Sequence, residues 1–188
     1  MLPNDLVCRS VLYPRGFAQL NVFELATFMR ADRRKGTDIF VLSVGSRHVL
    51  RDEAGAHAYG VASAQVANQG VLRRSGLDEL PADQVVHYLG FYDISYGDVT
   101  SVQSDSFGLE ITYRPEHGST AHFEIELRER AGITKNQRKQ DKSIVELVLA
   151  SRLVGPKRYL IEGEDVDLCN RLNGLPLPEQ FAAPDEAV

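Results

Sequence analysis

The clearest regularity in the chain is an alternation of apolar and polar positions between residues 109 and 128. Leu109, Ile111 and Tyr113 interleave with Glu110, Thr112 and Arg114. After Pro115-Glu116-His117-Gly118-Ser119, the inward series Ala121, Phe123, Ile125 and Leu127 interleaves with His122, Glu124, Glu126 and Arg128. Successive strand side chains point to opposite faces, so this spacing predicts an antiparallel hairpin with one face on a core and the other solvated. Leu6–Tyr13 reads as a first strand closed by Pro14-Arg15-Gly16. The run Ile39-Phe40-Val41-Leu42-Ser43-Val44 has the length and continuity of a central strand buried on both faces. Val85–Tyr92 and the short Val99–Val102 are further candidate strands.

Helical spacing dominates elsewhere. Asn21 with Glu24 three positions on forms a start signature for a helix over Val22–Arg34, with Phe23, Leu25, Ala26 and Met29 inward and Gly36 as its stop. Asp52–Asn68 is rich in Ala, Gly and Ser and suits a closely packed helix ended by Gly70, with His57 as a half-buried structural residue. Thr134 to Gln137 fits a capping box for a long helix over Lys135–Leu153. There Ile144, Leu147, Val148 and Ser151 form the inward stripe, Val145, Leu149 and Arg152 flank it, and Gly155-Pro156 ends the helix. Tyr159–Ile161 would add an edge strand and Asp165–Leu172 a short helix. These elements predict an α+β fold, a largely antiparallel sheet with a long C-terminal amphipathic helix packed on it. A single domain over residues 1–161 is followed by an acidic segment over 162–188, its last part loose. The order of strands, hairpin and long helix resembles pleckstrin-homology-like domains in topology alone.

Composition narrows the classes. With 188 residues, 43% of them hydrophobic and 25% charged, the chain is long enough for one real core and unlike a disordered or fibrous protein. No apolar run is long enough to predict a membrane span. A start carrying Asn4 and Asp5 predicts no secretory signal, and the expected location is cytoplasmic, with Cys8 and Cys169 as free thiols.

Charge divides the chain. Residues 1–161 carry 20 basic and 19 acidic side chains, a net of +1, and residues 162–188 carry one basic and seven acidic, a net of −6; together they give the formal −5. Of the 21 basic residues 16 are Arg, whose planar fork suits carboxylates and phosphates.

The strong catalytic signatures are missing: no phosphate loop, no dinucleotide fingerprint, no H-E-x-x-H and no G-x-S-x-G. None of His48, His57, His87, His117 and His122 stands at zinc-ligand spacing, so no metal and no cofactor is expected. Two features carry possible chemistry. Glu124 and Glu126, two apart on a strand, share a face, which can raise one pKa for acid/base or cation-stabilising work. With Arg9 on the first strand and Ser43 or Ser46 on the second, the order Arg, Ser, Glu-x-Glu is similar to the arrangement in ADP-ribosyltransferases. That resemblance implies that Arg9 and Ser43 hold NAD and that Glu126 stabilises a developing oxocarbenium ion. Gly45-Ser46 stands where that family has a Ser-Thr-Ser cluster.

The second feature is basic. Lys135, Arg138, Lys139 and Lys142 crowd the start of the long helix, where positive charge opposes the helix dipole and an anion would relieve the conflict. Arg33, Arg34 and Lys35 form a second cluster. The sequence therefore favours a non-enzymatic binding or assembly module that recognises an acidic or phosphate-bearing partner, an acidic protein surface or nucleic acid, through the basic helix start. The alternative is an NAD-consuming, ADP-ribosyltransferase-like enzyme.

Overall fold

A computed structural model describes residues 1–13, 17–19, 22–23, 25–81, 84–115 and 119–159. In chain order these form strands β1 (Leu6–Tyr13), β2 (Phe17–Gln19) and β3 (Val22–Phe23), then helix α1 (Leu25–Phe28) and strands β4 (Asp32–Arg33) and β5 (Ile39–Ser46). Helices α2 (Arg47–Leu50) and α3 (Glu53–Ser75) follow, then β6 (His87–Ser95), α4 (Tyr96–Thr100), β7 (Phe107–Tyr113), β8 (His122–Glu129), α5 (Lys135–Ser151) and β9 (Val154–Arg158). Seven strands make one sheet in the order β7-β8-β5-β1-β6-β9, with β4 also pairing β5. All of its pairings are antiparallel, so the class is α+β. Among the described residues no helix is long and apolar enough to cross a membrane.

The sheet is covered on both faces. On one side Val7, Val11, Leu42, Val44, Ile94, Ile125 and Leu127 meet Phe28 and Met29, together with Val145, Leu149 and Ala150 of α5. Each fully buried large apolar side chain contributes about 1.5–3 kcal/mol. On the other side α3 packs through small residues four apart, Ala56, Gly60 and Ala64. Ala56 meets Cys8 and Phe91, and Ala64 meets Val86 and Tyr88. Gly60 permits this approach, because a Cβ there would stand 2.0 Å from the Tyr88 ring. The Ala/Gly composition thus lets the helix lie close to β6. His57 is half-buried as expected, its Nδ1 2.9 Å from the Tyr88 hydroxyl.

Local signals set several boundaries. The Asp52 side chain caps α3 by accepting from Gly55 N at 2.8 Å, and the helix runs past Gly70 to Gly76, which takes the left-handed conformation at φ 67°. Thr134 and Gln137 form the capping box at the start of α5. The hairpin β7–β8 keeps an unbroken register, with Ile111 opposite Ile125 and Leu109 opposite Leu127.

Several expectations are corrected. Residues 22–34 do not form one helix: Val22–Phe23 pairs with β2, a single turn follows, and Asp32–Arg33 pairs with Val41 and Phe40. Burial at Phe28, Met29 and Ala31 is not helically spaced, and Gly36, at φ 78°, serves the β4–β5 turn rather than a helix stop. Val99–Val102 is not a strand, because Ser95 caps α4 by accepting from Asp98 N and buries Val99 from a helix. The inward stripe of α5 is Val145 and Leu149, while Ile144 and Leu147 stand 50% and 55% exposed. Gly155-Pro156 lies within β9 instead of closing α5, whose C-cap is Arg152. Leu160, Ile161, the helix expected over 165–172 and the acidic segment 162–188 lie outside the described residues, as do Pro14-Arg15-Gly16, Asn21 and Glu24.

Candidate functional site

Two strands share one edge of β5. β1 pairs there through Val7–Ser46 and Cys8–Gly45, and β4 through Asp32–Val41 and Arg33–Phe40. Between them β1 and β5 part company, and side chains replace the missing ladder. Arg9 of β1 donates from Nη1 to the Ser43 carbonyl at 3.0 Å and from Nε to the Phe28 carbonyl at 2.9 Å. The Tyr59 hydroxyl of α3 donates to the Val44 carbonyl at 3.2 Å. Backbone acceptors buried in a sheet need such partners.

The parting leaves a cleft of about 480 Å³ whose walls include Arg9, Ser10, Phe28, Arg30, Asp32, Val41, Ser43, Tyr59 and Ser63. Arg9 lies over the Phe28 ring, 5.1 Å from its centroid. Desolvation brings its pKa from 12.5 to about 10, against the opposing pull of Asp32 and Tyr59, so it stays charged at neutral pH. Its partners are carbonyl dipoles. Among the described residues no carboxylate lies within ion-pair distance of Arg9, whereas the half-buried Arg34, Arg47, Arg114 and Arg138 each have one. The Ser10 hydroxyl, also in the wall, is buried with no hydrogen-bond partner. A half-buried guanidinium with no carboxylate in ion-pair contact, beside an unsatisfied hydroxyl and an open cavity, can accept an anionic group bearing a further polar atom, with Asp32 of the same wall as the competing charge.

Of the residues read from the sequence, Arg9 and Ser43 meet at this cleft. Ser46 is buried at the start of α2. Glu124 stands opposite Ser43, and Glu126 opposite Val41, in the β5–β8 register, yet neither belongs to the cleft wall. Their face is only partly solvated. Glu126 is fully buried and accepts from Arg34 at 2.9 Å, from Arg114 at 2.7 Å and from Arg128; Glu124 pairs with Arg34 and Arg114. Burial alone would raise the Glu126 pKa, but hydrogen bonds from Arg114 and Arg34 and the charge of Arg128 hold it below the ordinary carboxylate value. A carboxylate gripped by three guanidinium groups is a structural counter-ion.

The basic clusters are largely spoken for as well. Arg138 pairs with Glu129 at 2.8 Å, and Lys142 with Glu146 while lying over the Phe40 ring. Arg33 pairs with Asp38, and Arg34 with the two glutamates. Lys135, Lys139 and Lys35 are exposed. Sequence reasoning passed over Ser10, Phe28, Arg30, Asp32 and Tyr59. Nothing local marks them, since the cleft exists only where β1 and β4 share β5. Among the described residues no three His, Cys, Asp or Glu side chains come together to hold a metal ion.

Compared with protein-family models, curated proteins and solved structures, the chain matches none, so neither the pleckstrin-homology nor the ADP-ribosyltransferase likeness gains a relative.

Proposed function

We propose that the protein is a binding module that recognises an anionic group, carboxylate or phosphate, on a ligand or partner, and that Arg9 in the β1–β5 cleft is the anchor. The observation that carries the reading is the half-buried Arg9 guanidinium, bonded to the Phe28 and Ser43 carbonyls and to no carboxylate, at the wall of a cavity large enough for a small ligand. The same class of function was expected at the start of α5. There, Lys135 and Lys139 supply exposed charge for a peripheral contact, while Arg138 and Lys142 are engaged by Glu129 and Glu146.

Arg9 and Ser43 at one cleft also favour the NAD-consuming reading, which requires a carboxylate at the reacting carbon. Glu126 is the residue assigned that role, and three arginines hold it away from the cleft wall. Binding without turnover is therefore the better account. Transfer of label from NAD by the folded protein would reverse that preference.

Isothermal titration with inorganic phosphate and with citrate tests the proposal. Arg9→Gln is expected to weaken binding about 10- to 100-fold, the loss of a charged hydrogen bond. Ser63→Leu, which fills the cleft from α3, is expected to weaken it too. Lys135→Ala with Lys139→Ala leaves it within about twofold, as exposed charges contribute little. Binding that survives Arg9→Gln and Ser63→Leu but falls in the lysine variant would move the contact to the helix start.

A further inference from the structure

The two edges of the large sheet are treated differently by the sequence. β9 at one edge has five residues, contains Pro156 with no N–H to offer, presents Lys157, and pairs with β6 through a shifted register. These are the devices by which natural sheets blunt an edge. β7 at the other edge has seven residues, no Pro, no Lys and an uninterrupted register with β8.

The polarity of β7's backbone follows from its neighbours. Arg114 N donates to the His122 carbonyl, and Arg130 N to the Ser106 carbonyl. The even-numbered residues therefore face β8, and the N–H and C=O groups of Phe107, Leu109, Ile111 and Tyr113 face outward. Phe107 N is met by the Ser104 hydroxyl at 3.2 Å. Among the described residues nothing pairs with the outward groups of Leu109, Ile111 and Tyr113. Apolar surface lies alongside: Tyr113 is 46% exposed, and Ile144, half exposed on α5, lines the groove of about 670 Å³ that also contains Leu109.

The candidate occupant is named by the strand's own sequence. When β7 is laid antiparallel against a second β7 about a two-fold axis at Thr112, Glu110 stands opposite the other copy's Arg114, Ile111 opposite Tyr113, and Thr112 opposite itself. Opposite charges, a β-branched residue against an aromatic one, and a threonine pair are the cross-strand partners that stabilise a sheet. Ile111 and Tyr113 also exchange their outward backbone bonds in this register. Moving the axis to Glu110 would set two carboxylates face to face, which is unfavourable. We infer that β7 is an isologous dimer interface, pairing with a second copy of this chain about Thr112 to continue the sheet across two protomers.

The test measures mass and register. Light scattering of the full chain at about 100 μM, a concentration that populates a micromolar dimer, is expected to give twice 20.9 kDa. Thr112→Lys, a surface change that brings two ammonium groups together at the axis, is expected to return the mass to one copy with the circular dichroism unchanged. In a Cys169→Ser background, Thr112→Cys is expected to form an inter-protomer disulfide, because a non-hydrogen-bonded pair sets its Cα atoms about 4.5 Å apart. Glu110→Cys is expected not to, the two copies lying about 14 Å apart in this register. A wild-type monomer at that concentration overturns the inference and leaves the edge to a strand of another protein. A Thr112→Lys dimer, or equal crosslinking at 110 and 112, overturns it also.

Discussion

Glu126→Gln is the perturbation that bears most directly on the charged face of β8. The wild-type carboxylate is inaccessible to water and accepts from Arg34, Arg114 and Arg128, whose side chains are 28%, 31% and 47% exposed. Of the six charges on this patch, Arg34, Arg114 and Arg128 against Glu110, Glu124 and Glu126, the substitution removes the one with no access to solvent. Breaking a buried pair by deleting one partner costs about 3–5 kcal/mol, and the partial exposure of the arginines points to the lower end, about 3 kcal/mol at pH 7. With a urea m-value of about 2 kcal/mol/M, the unfolding midpoint falls by about 1.5 M. The sign of the pH dependence follows from the depressed folded-state pKa. The stabilisation is complete above the ordinary value of 4.5 and is lost as pH falls through the lower folded-state value. The gap between wild type and variant therefore narrows below pH 4.5. A midpoint shift under about 0.25 M at pH 7, or a gap that stays constant down to pH 2.5, refutes the assignment of Glu126 as the counter-ion of this face.

Two further outcomes test the part of this same sheet face that α3 covers. Gly60→Ala places a Cβ 2.0 Å from the Tyr88 ring, which a packed aromatic cannot yield without moving α3, so thermal unfolding is expected to show a loss of about 1–3 kcal/mol; an unchanged melting temperature would contradict the close approach of α3 to β6. Cys8 is buried beneath α3, and desolvation together with Asp93 pushes its thiol up to about 12. At pH 8 the peptide containing Cys8 is therefore expected to escape alkylation in the native protein and react fully in urea, as mapped by mass spectrometry; native labelling at a rate near that in urea would contradict its burial.

The cleft and the β7 edge lie in different parts of the sheet. Arg9 closes a gap on the β1 side of β5, whereas β7 is separated from β5 by β8. Substitutions at Arg9 and at Thr112 are thus expected to act independently, anion affinity following one and mass the other.

What the sequence by itself determined are the elements whose signals are local. The alternation over 109–128 requires a hairpin, because only a strand of period two gives Ile125 and Leu127 to the core together. Thr134 announces its helix by a side-chain oxygen that satisfies a backbone donor three residues on. The tertiary structure decided everything that depends on partners distant in the chain. Ile144, Val145, Leu147, Val148 and Leu149 of α5 cover so wide an arc that spacing alone allows either stripe. Glu146 faces inward because Ala31 N, 115 positions earlier, donates to it. Residues 32–33 became a strand because β5 had an edge free to pair with them, a fact absent from their own propensities. The sequence marked Arg9 only through its order before Ser43 and the Glu124–Glu126 pair. The bonds of Arg9 to backbone carbonyls in place of an ion pair, and the cavity beside it, arise where two strands compete for one edge of β5 and leave a gap that neither fills.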